Sequence, residues 1–519
     1  MKVLRERVIA AALGCLTAVT AAAQQDGTEP LSAIDWLSQS VQAPEAVAAE
    51  GVALDEPPVA TSADTPEIIV TPLDRTSPDA TGILSPAQTG LPRSLWASSG
   101  EAVLVPLVQA ERVDTLPALQ DLLVTLMLAE ADPPAGAGAQ GALFLARVDK
   151  LLDLGALDPA QALLEAAGPD SPDLFRRWFD VTLLTGTEDS ACDVLRDKPT
   201  IAPTYPARIF CLARNGDWTA AALTLNTARA LGDVTAEEDA LLSRFLDPDL
   251  FEGLPPLPPP TRTSPLEFRM REAIGEGLTT ATLPRAFSHA DLRNTLGWRS
   301  RMEAAERLAR FGAIPVNTLF DIYLLNTPAA SGGVWDRAEA IQRFDTAVRA
   351  GDPTAVASAL PGAYAAMQAI RAEVAFARFY APGISRLPLS GPADALAYRI
   401  GLLSPEYETV ALARAPVTPE ERILQAIARG EVEGLASENR RITAVLTAFG
   451  TPPLAEPMAT QIAEGKLGEA ILRTVALFNQ GLGGDLAAVT DALALLRHVG
   501  MEDVARRAAL QFLILDRPT

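Results

Sequence analysis

The chain reads as an all-α protein, and three observations carry that reading. From residue 101 to the end, apolar side chains recur at i, i+3, i+4 and i+7 in one stretch after another. The breaks between stretches are short and hold Gly, Pro or Asp. Aromatic residues are only 5% of the chain while Ala and Leu dominate, which favours packed helices over a β-sandwich. Glu67–Val70 is a brief apolar run of the kind a strand would need, and no period-two series develops from it. A length of 519 residues allows about two to four domains.

The first 23 residues have the layout of a secretory signal. Lys2, Arg5 and Arg7 precede an apolar run, Val8 to Val19, broken only by Thr17, and Ala21-Ala22-Ala23 offers small residues before a cut at Gln24. The run is shorter than the roughly 20 apolar residues that span a bilayer. Ala12-Leu13-Gly14-Cys15 lacks the leucine expected three residues before a lipidated cysteine. A periplasmic protein with its signal removed is therefore expected. Removal takes three bases and one acid, so the net charge moves from −22 to −24. Such a charge argues against nucleic acid and against anionic lipid as partners. No later stretch is apolar enough for membrane insertion.

Residues 24–100 form an acidic Pro/Ala/Thr-rich segment. Gln24 to Asp74 holds ten acids and no Lys or Arg, and so little apolar surface predicts disorder. Two islands carry apolar anchors: Leu31–Leu37 with Trp36 and Leu37, and residues 82–96 with Leu95 and Trp96. These are candidate docking motifs for a partner, tryptophan being a frequent hot spot. For residues 82–96, next to the helices, packing back onto the protein's own fold is the favoured reading, whereas for Trp36 the two stand even.

A first helical-repeat domain is expected over 101–252. Cys15 leaves with the signal, so Cys192 and Cys211 remain on consecutive predicted helices and form a natural disulfide in an oxidising compartment. Residues 253–265, with Leu-Pro-Pro-Leu-Pro-Pro-Pro at their centre, read as a polyproline linker and a boundary. A second helical-repeat domain is expected over 266–519.

Several helices open alike. Gly216-Asp-Trp218 leads to Ala221, Leu225 and Ala228, and Gly155-Ala-Leu157 leads to Ala160, Leu164 and Ala167 at the same spacing. Gly465-Lys-Leu467 leads to Ala470, and Gly500 to Ala505 more loosely. Glycine ends the preceding helix in a left-handed cap, and the small alanine lets two helices approach closely. This pattern resembles the second helix of a tetratricopeptide repeat, although the first helices lack the full Trp-Leu-Gly-Tyr signature. The resemblance implies a right-handed α-solenoid of helix hairpins that binds proteins on extended surfaces.

Chemistry is sparsely signalled. With two histidines and three cysteines in the chain, most histidine-built zinc sites and iron–sulfur clusters are excluded. Gly136-Ala-Gly138-Ala-Gln-Gly141 matches a dinucleotide-binding pattern in letters, but it follows a helical stretch and Pro133-Pro134 where a strand is required. Ser288, His289 and Asp291 are too close in sequence to form a triad, and Ser288 reads as a helix cap. The C-terminal hundred residues lack the Glu-Ser of lysozyme-like wall-cleaving enzymes. Ser331-Gly-Gly-Val-Trp335 is the remaining candidate contact loop, with Trp335 as its apolar surface. No catalytic residue, metal or cofactor is expected. The expectation is a non-enzymatic scaffold for other envelope proteins, with a peptidoglycan-directed enzyme or a glycan-binding protein with a dispersed site as the rival.

Overall fold

The computed structural model describes residues 77–515. Residues 1–23, Trp36 and Leu37 lie outside the described residues. Within them the fold is all-helical, with 25 α-helices and two isolated bridges in place of any strand. The first group is α1 (Pro86–Thr89), α2 (Glu101–Ala110), α3 (Pro117–Leu128), α4 (Ala142–Leu154), α5 (Leu157–Ala167), α6 (Pro172–Thr185), α7 (Glu188–Asp197), α8 (Tyr205–Arg214), α9 (Trp218–Leu231) and α10 (Ala236–Leu246). Next come α11 (Pro265–Ala273), α12 (Ser288–Asp291), α13 (Trp298–Ala309), α14 (Val316–Tyr323), α15 (Val334–Ala350), α16 (Pro353–Ala369) and α17 (Glu373–Ile384). The last are α18 (Gly391–Gly401), α19 (Tyr407–Ala413), α20 (Pro419–Arg429), α21 (Arg440–Phe449), α22 (Met458–Ala463), α23 (Leu467–Leu482), α24 (Leu486–His498) and α25 (Glu502–Ile514).

Local chemistry sets many of these boundaries. Ser171, Thr204, Thr235, Ser264 and Thr418 each accept a hydrogen bond from an amide in the first turn that they cap. The four repeat-like openings are real helix turns. Gly155, Gly216, Gly465 and Gly500 have φ of 77°, 85°, 72° and 84°, a region that side chains with a Cβ rarely adopt. Ala160, Ala221, Ala470 and Ala505, placed alike in the helices that follow, are all fully buried.

Residues 77–100 depart from the expected disorder. Ile83 and Leu84 donate to Leu128 O, Ala135 donates to Ser99 O, and Glu101 donates to Ala135 O, so the segment lies zipped along residues 128–135. Arg147, fully buried on α4, locks it. Its guanidinium donates to Met127 O, Ala129 O, Asp79 O and Thr81 O at 2.8–3.3 Å. Asp79 in turn accepts from the Phe144 amide at 2.6 Å and satisfies the start of α4. The Gly136–Gly141 stretch is the connector from α3 to α4, where Gly138 O accepts from Ser77 Oγ.

The chain also closes on itself. Trp96 is fully buried, and Gly468 at the start of α23 passes so close that a Cβ there would sit 2.4 Å from its ring. Ser99 donates to Glu469, and the Ala118 amide donates to Gln511 of α25 at 2.9 Å. Asp121 pairs with Arg378 and with Arg507, while Asp114 pairs with Arg310. One contiguous buried cluster runs from Leu91 to Leu515, and residues on both sides of 253–265 belong to it.

The proline-dense stretch itself is tied down. Arg244 donates to Pro255 O, Arg271 donates to Pro258 O, and the Leu257 amide donates to Glu276 at 2.8 Å. It forms a strap across α10 and α11.

Candidate functional site

Two adjoining cavities lie under that strap. The inner one, of about 300 Å³, is walled by Phe179, Leu241, Leu266 and Met270, with Asp180 and Arg176 among its polar lining. The outer one, of about 1160 Å³, runs between the loop 199–206, the start of α10 and strap residues 257–262. Pro203, Thr204, Glu237 and Arg262 line both, so the two form one cleft with an inner chamber.

The chemistry of the cleft begins at Asp180 on α6, which is 6% exposed. Its Oδ2 is buried and takes no hydrogen bond within the described residues. Burial pushes its carboxyl up to about 7, against the pull of Arg176 and Arg177 and with Asp149 adding to the rise. Arg177 is committed elsewhere, gripping Asp149 with two hydrogen bonds at 2.6 and 2.8 Å. Glu267 is raised by burial and answered by Arg271 at 2.9 Å. Glu238 is engaged in capping α10 through the Thr235 amide.

The strap supplies the second feature. The amides of Thr261, Arg262 and Thr263 make no hydrogen bond within the described residues, and Thr263 is nevertheless buried. Thr261 and Arg262 form an exposed bend, from which the chain turns inward at Thr263.

Cys192 and Cys211 are brought together in a disulfide that joins α7 to α8. The loop it closes includes residues 199–204, which form one lip of the cleft. The other anchors fare differently. Leu95 and Trp96 are buried in the protein's own core, so neither is available to a partner; they hold residues 77–100 against α23. Trp335 lies in α15 and packs edge-on against Trp298 with ring centroids 5.3 Å apart, half-buried between helices. Its loop is an interhelix turn in which the Gly332 amide donates to Asp336. Ser288 does not cap a helix; its hydroxyl accepts from Arg307 at 3.1 Å. His289 is buried, its Nε2 donating to Gly155 O at 2.7 Å, and burial holds the imidazole below its ordinary range.

Sequence reasoning passed over Asp180 and the strap amides. The signal for Asp180 was present in Phe175-Arg-Arg-Trp-Phe-Asp180, where charged residues fall at core spacing in a largely apolar helix. No helix among the described residues is long and apolar enough to cross a membrane. Compared with known proteins, the chain matches no family model, no curated protein and no solved structure.

Proposed function

We propose that this chain is an exported, non-enzymatic scaffold that holds an extended segment of another envelope protein in the cleft beneath the strap. In this reading its stacked helix hairpins follow the plan of a tetratricopeptide-like right-handed α-solenoid, and the periplasm is its compartment. The observation that carries the proposal is the cleft of about 1160 Å³ that runs beneath the strap, between the loop 199–206 and the start of α10. The disulfide suits an oxidising compartment, and the signal-like first 23 residues suit export.

The test is selection of a random peptide library on the folded chain, followed by hydrogen exchange of the protein with and without a selected peptide. Slowed exchange at Thr261–Thr263 is the expected result. Failure to select any peptide, or protection confined to another face, would remove the reading.

A further inference from the structure

We propose that a cluster of arginines where the chain closes on itself is a docking surface for an acidic stretch of the same chain, residues 55–67.

The cluster gathers around two aspartates at α3. Arg378 of α17 and Arg507 of α25 both donate to one oxygen of Asp121, Oδ2. Asp114, just before α3, is shared in the same way, with Arg310 at 3.1 Å and Arg371 at 3.8 Å. Arg285 joins them through the Phe311 ring, over which it lies at 3.3 Å and Arg310 at 4.9 Å. Asp503 answers Arg507 at 2.8 Å, while Asp153 is taken by Lys150. Five guanidiniums thus meet three carboxylates, Asp114, Asp121 and Asp503, on a chain whose formal charge is −22.

These guanidiniums keep donors to spare. Arg310 and Arg378 spend Nη2 alone on their aspartates, and Arg371 makes no hydrogen bond within the described residues. All three are partly exposed, Arg371 the most at 39% of its side chain. Arg371 also holds φ of 57° in the turn from α16 to α17, a place where glycine is the ordinary occupant. Burial brings Arg285 down to about 10, and the like charges of Arg307 and Arg310 add to the fall. An anion placed among them would relieve that crowding.

Carboxylates suit guanidiniums especially well, because their pairs are charge-assisted and can be bidentate. Asp55, Glu56, Asp64 and Glu67 supply them within one short stretch that has no Lys or Arg. The stretch is also near. Asp79 accepts from the Phe144 amide at the start of α4, and Arg285 donates to Asp153 O at the end of that helix. Those points are about 14 Å apart along the helix, and the chain from Glu67 to Ser77 can span about 30 Å. A tether of that length gives an effective concentration of about millimolar, an advantage that a separate acidic partner lacks.

Phenylglyoxal, a neutral reagent that modifies accessible guanidiniums, tests the docking on the full chain. Modification of each arginine is followed by mass spectrometry in the wild type and in a variant carrying Asp55→Asn, Glu56→Gln, Asp64→Asn and Glu67→Gln. At low salt Arg310 and Arg371 should react at least about threefold more slowly in the wild type. Arg343, well exposed on α15, should react alike in both chains. Salt at about 1 M should erase the difference, because it screens exposed charges within a few ångströms. Thermal melting of the two chains checks that the variant folds as the wild type does. Equal rates at low salt would overturn the proposal, whether both are fast because the patch is bare or both slow because another anion covers it.

Discussion

Two irregular, proline-containing segments, 77–100 and 253–265, have opposite roles in the molecule. The first has become core. Leu91, Leu95 and Trp96 are buried, and its backbone is zipped to residues 128–135 and clipped by Arg147. The second has become a cover. Its prolines line a cleft, its carbonyls are held by Arg244 and Arg271, and the amides of Thr261, Arg262 and Thr263 make no hydrogen bond within the described residues. Apolar anchors with a paired backbone bury a segment, whereas polar ties from neighbouring helices hold one over a cleft.

The largest effect should come from breaking the first segment. Arg147→Met removes the donors of four buried carbonyls, and a loss of at least about 3 kcal/mol is expected in denaturant unfolding. Hydrogen exchange over 83–101 should accelerate with it, while the strap amides stay as they were. The disulfide makes the converse cut. Its loop spans a separation of 19 residues, so Cys192→Ser with Cys211→Ser should cost about 3 kcal/mol and loosen the 199–204 lip without freeing residues 77–100. Gly468→Ala would press a Cβ onto Trp96, and about 1–3 kcal/mol should be lost in thermal or denaturant unfolding.

Acidity sharpens the comparison next. Burial raises Asp180 from 3.8 to about 7 and Glu111, at the end of α2, from 4.5 to about 8. The folded state keeps these protons longer than the unfolded chain, so both groups make stability fall as pH climbs through those intervals. Unfolding measured between pH 4 and 8 should show Asp180→Asn losing its part of that decline, with a gain of about 1 kcal/mol or more at pH 8. The smallest effect belongs to the strap. Glu276→Gln weakens the hold on Leu257 and Arg244, and should change stability by less than about 1 kcal/mol while speeding exchange of the Leu257 amide.

What could be read from sequence follows the range of the interactions. Gly155, Gly216, Gly465 and Gly500 act on the turn they occupy, so their helix hairpins were legible. Cys192 and Cys211 sit on neighbouring helices and pair as expected. Trp96 was legible as an anchor but not as core, because the glycine that admits its ring lies in α23, near the other end of the chain. Arg147 looks like the polar face of an amphipathic helix, and Asp180 shows only as a charge at core spacing. Only the packing around them decides that the first meets four carbonyls and the second meets too few donors. The strap was legible as extended chain, but its position over a cleft depends on Glu276 and Arg271, outside the stretch itself.

The closure between Trp96 and α23, and between α3 and α25, has a consequence in time. The Ala118 amide and its partner Gln511 are 393 residues apart, so the first helices cannot complete their packing until nearly the whole chain is available. A chain emerging from its N-terminus would carry Trp96 exposed throughout synthesis, and its final folding step is a joining of beginning to end. Shortening the chain anywhere before α23 should therefore be felt first at its opposite end, as a Trp96 that never leaves water.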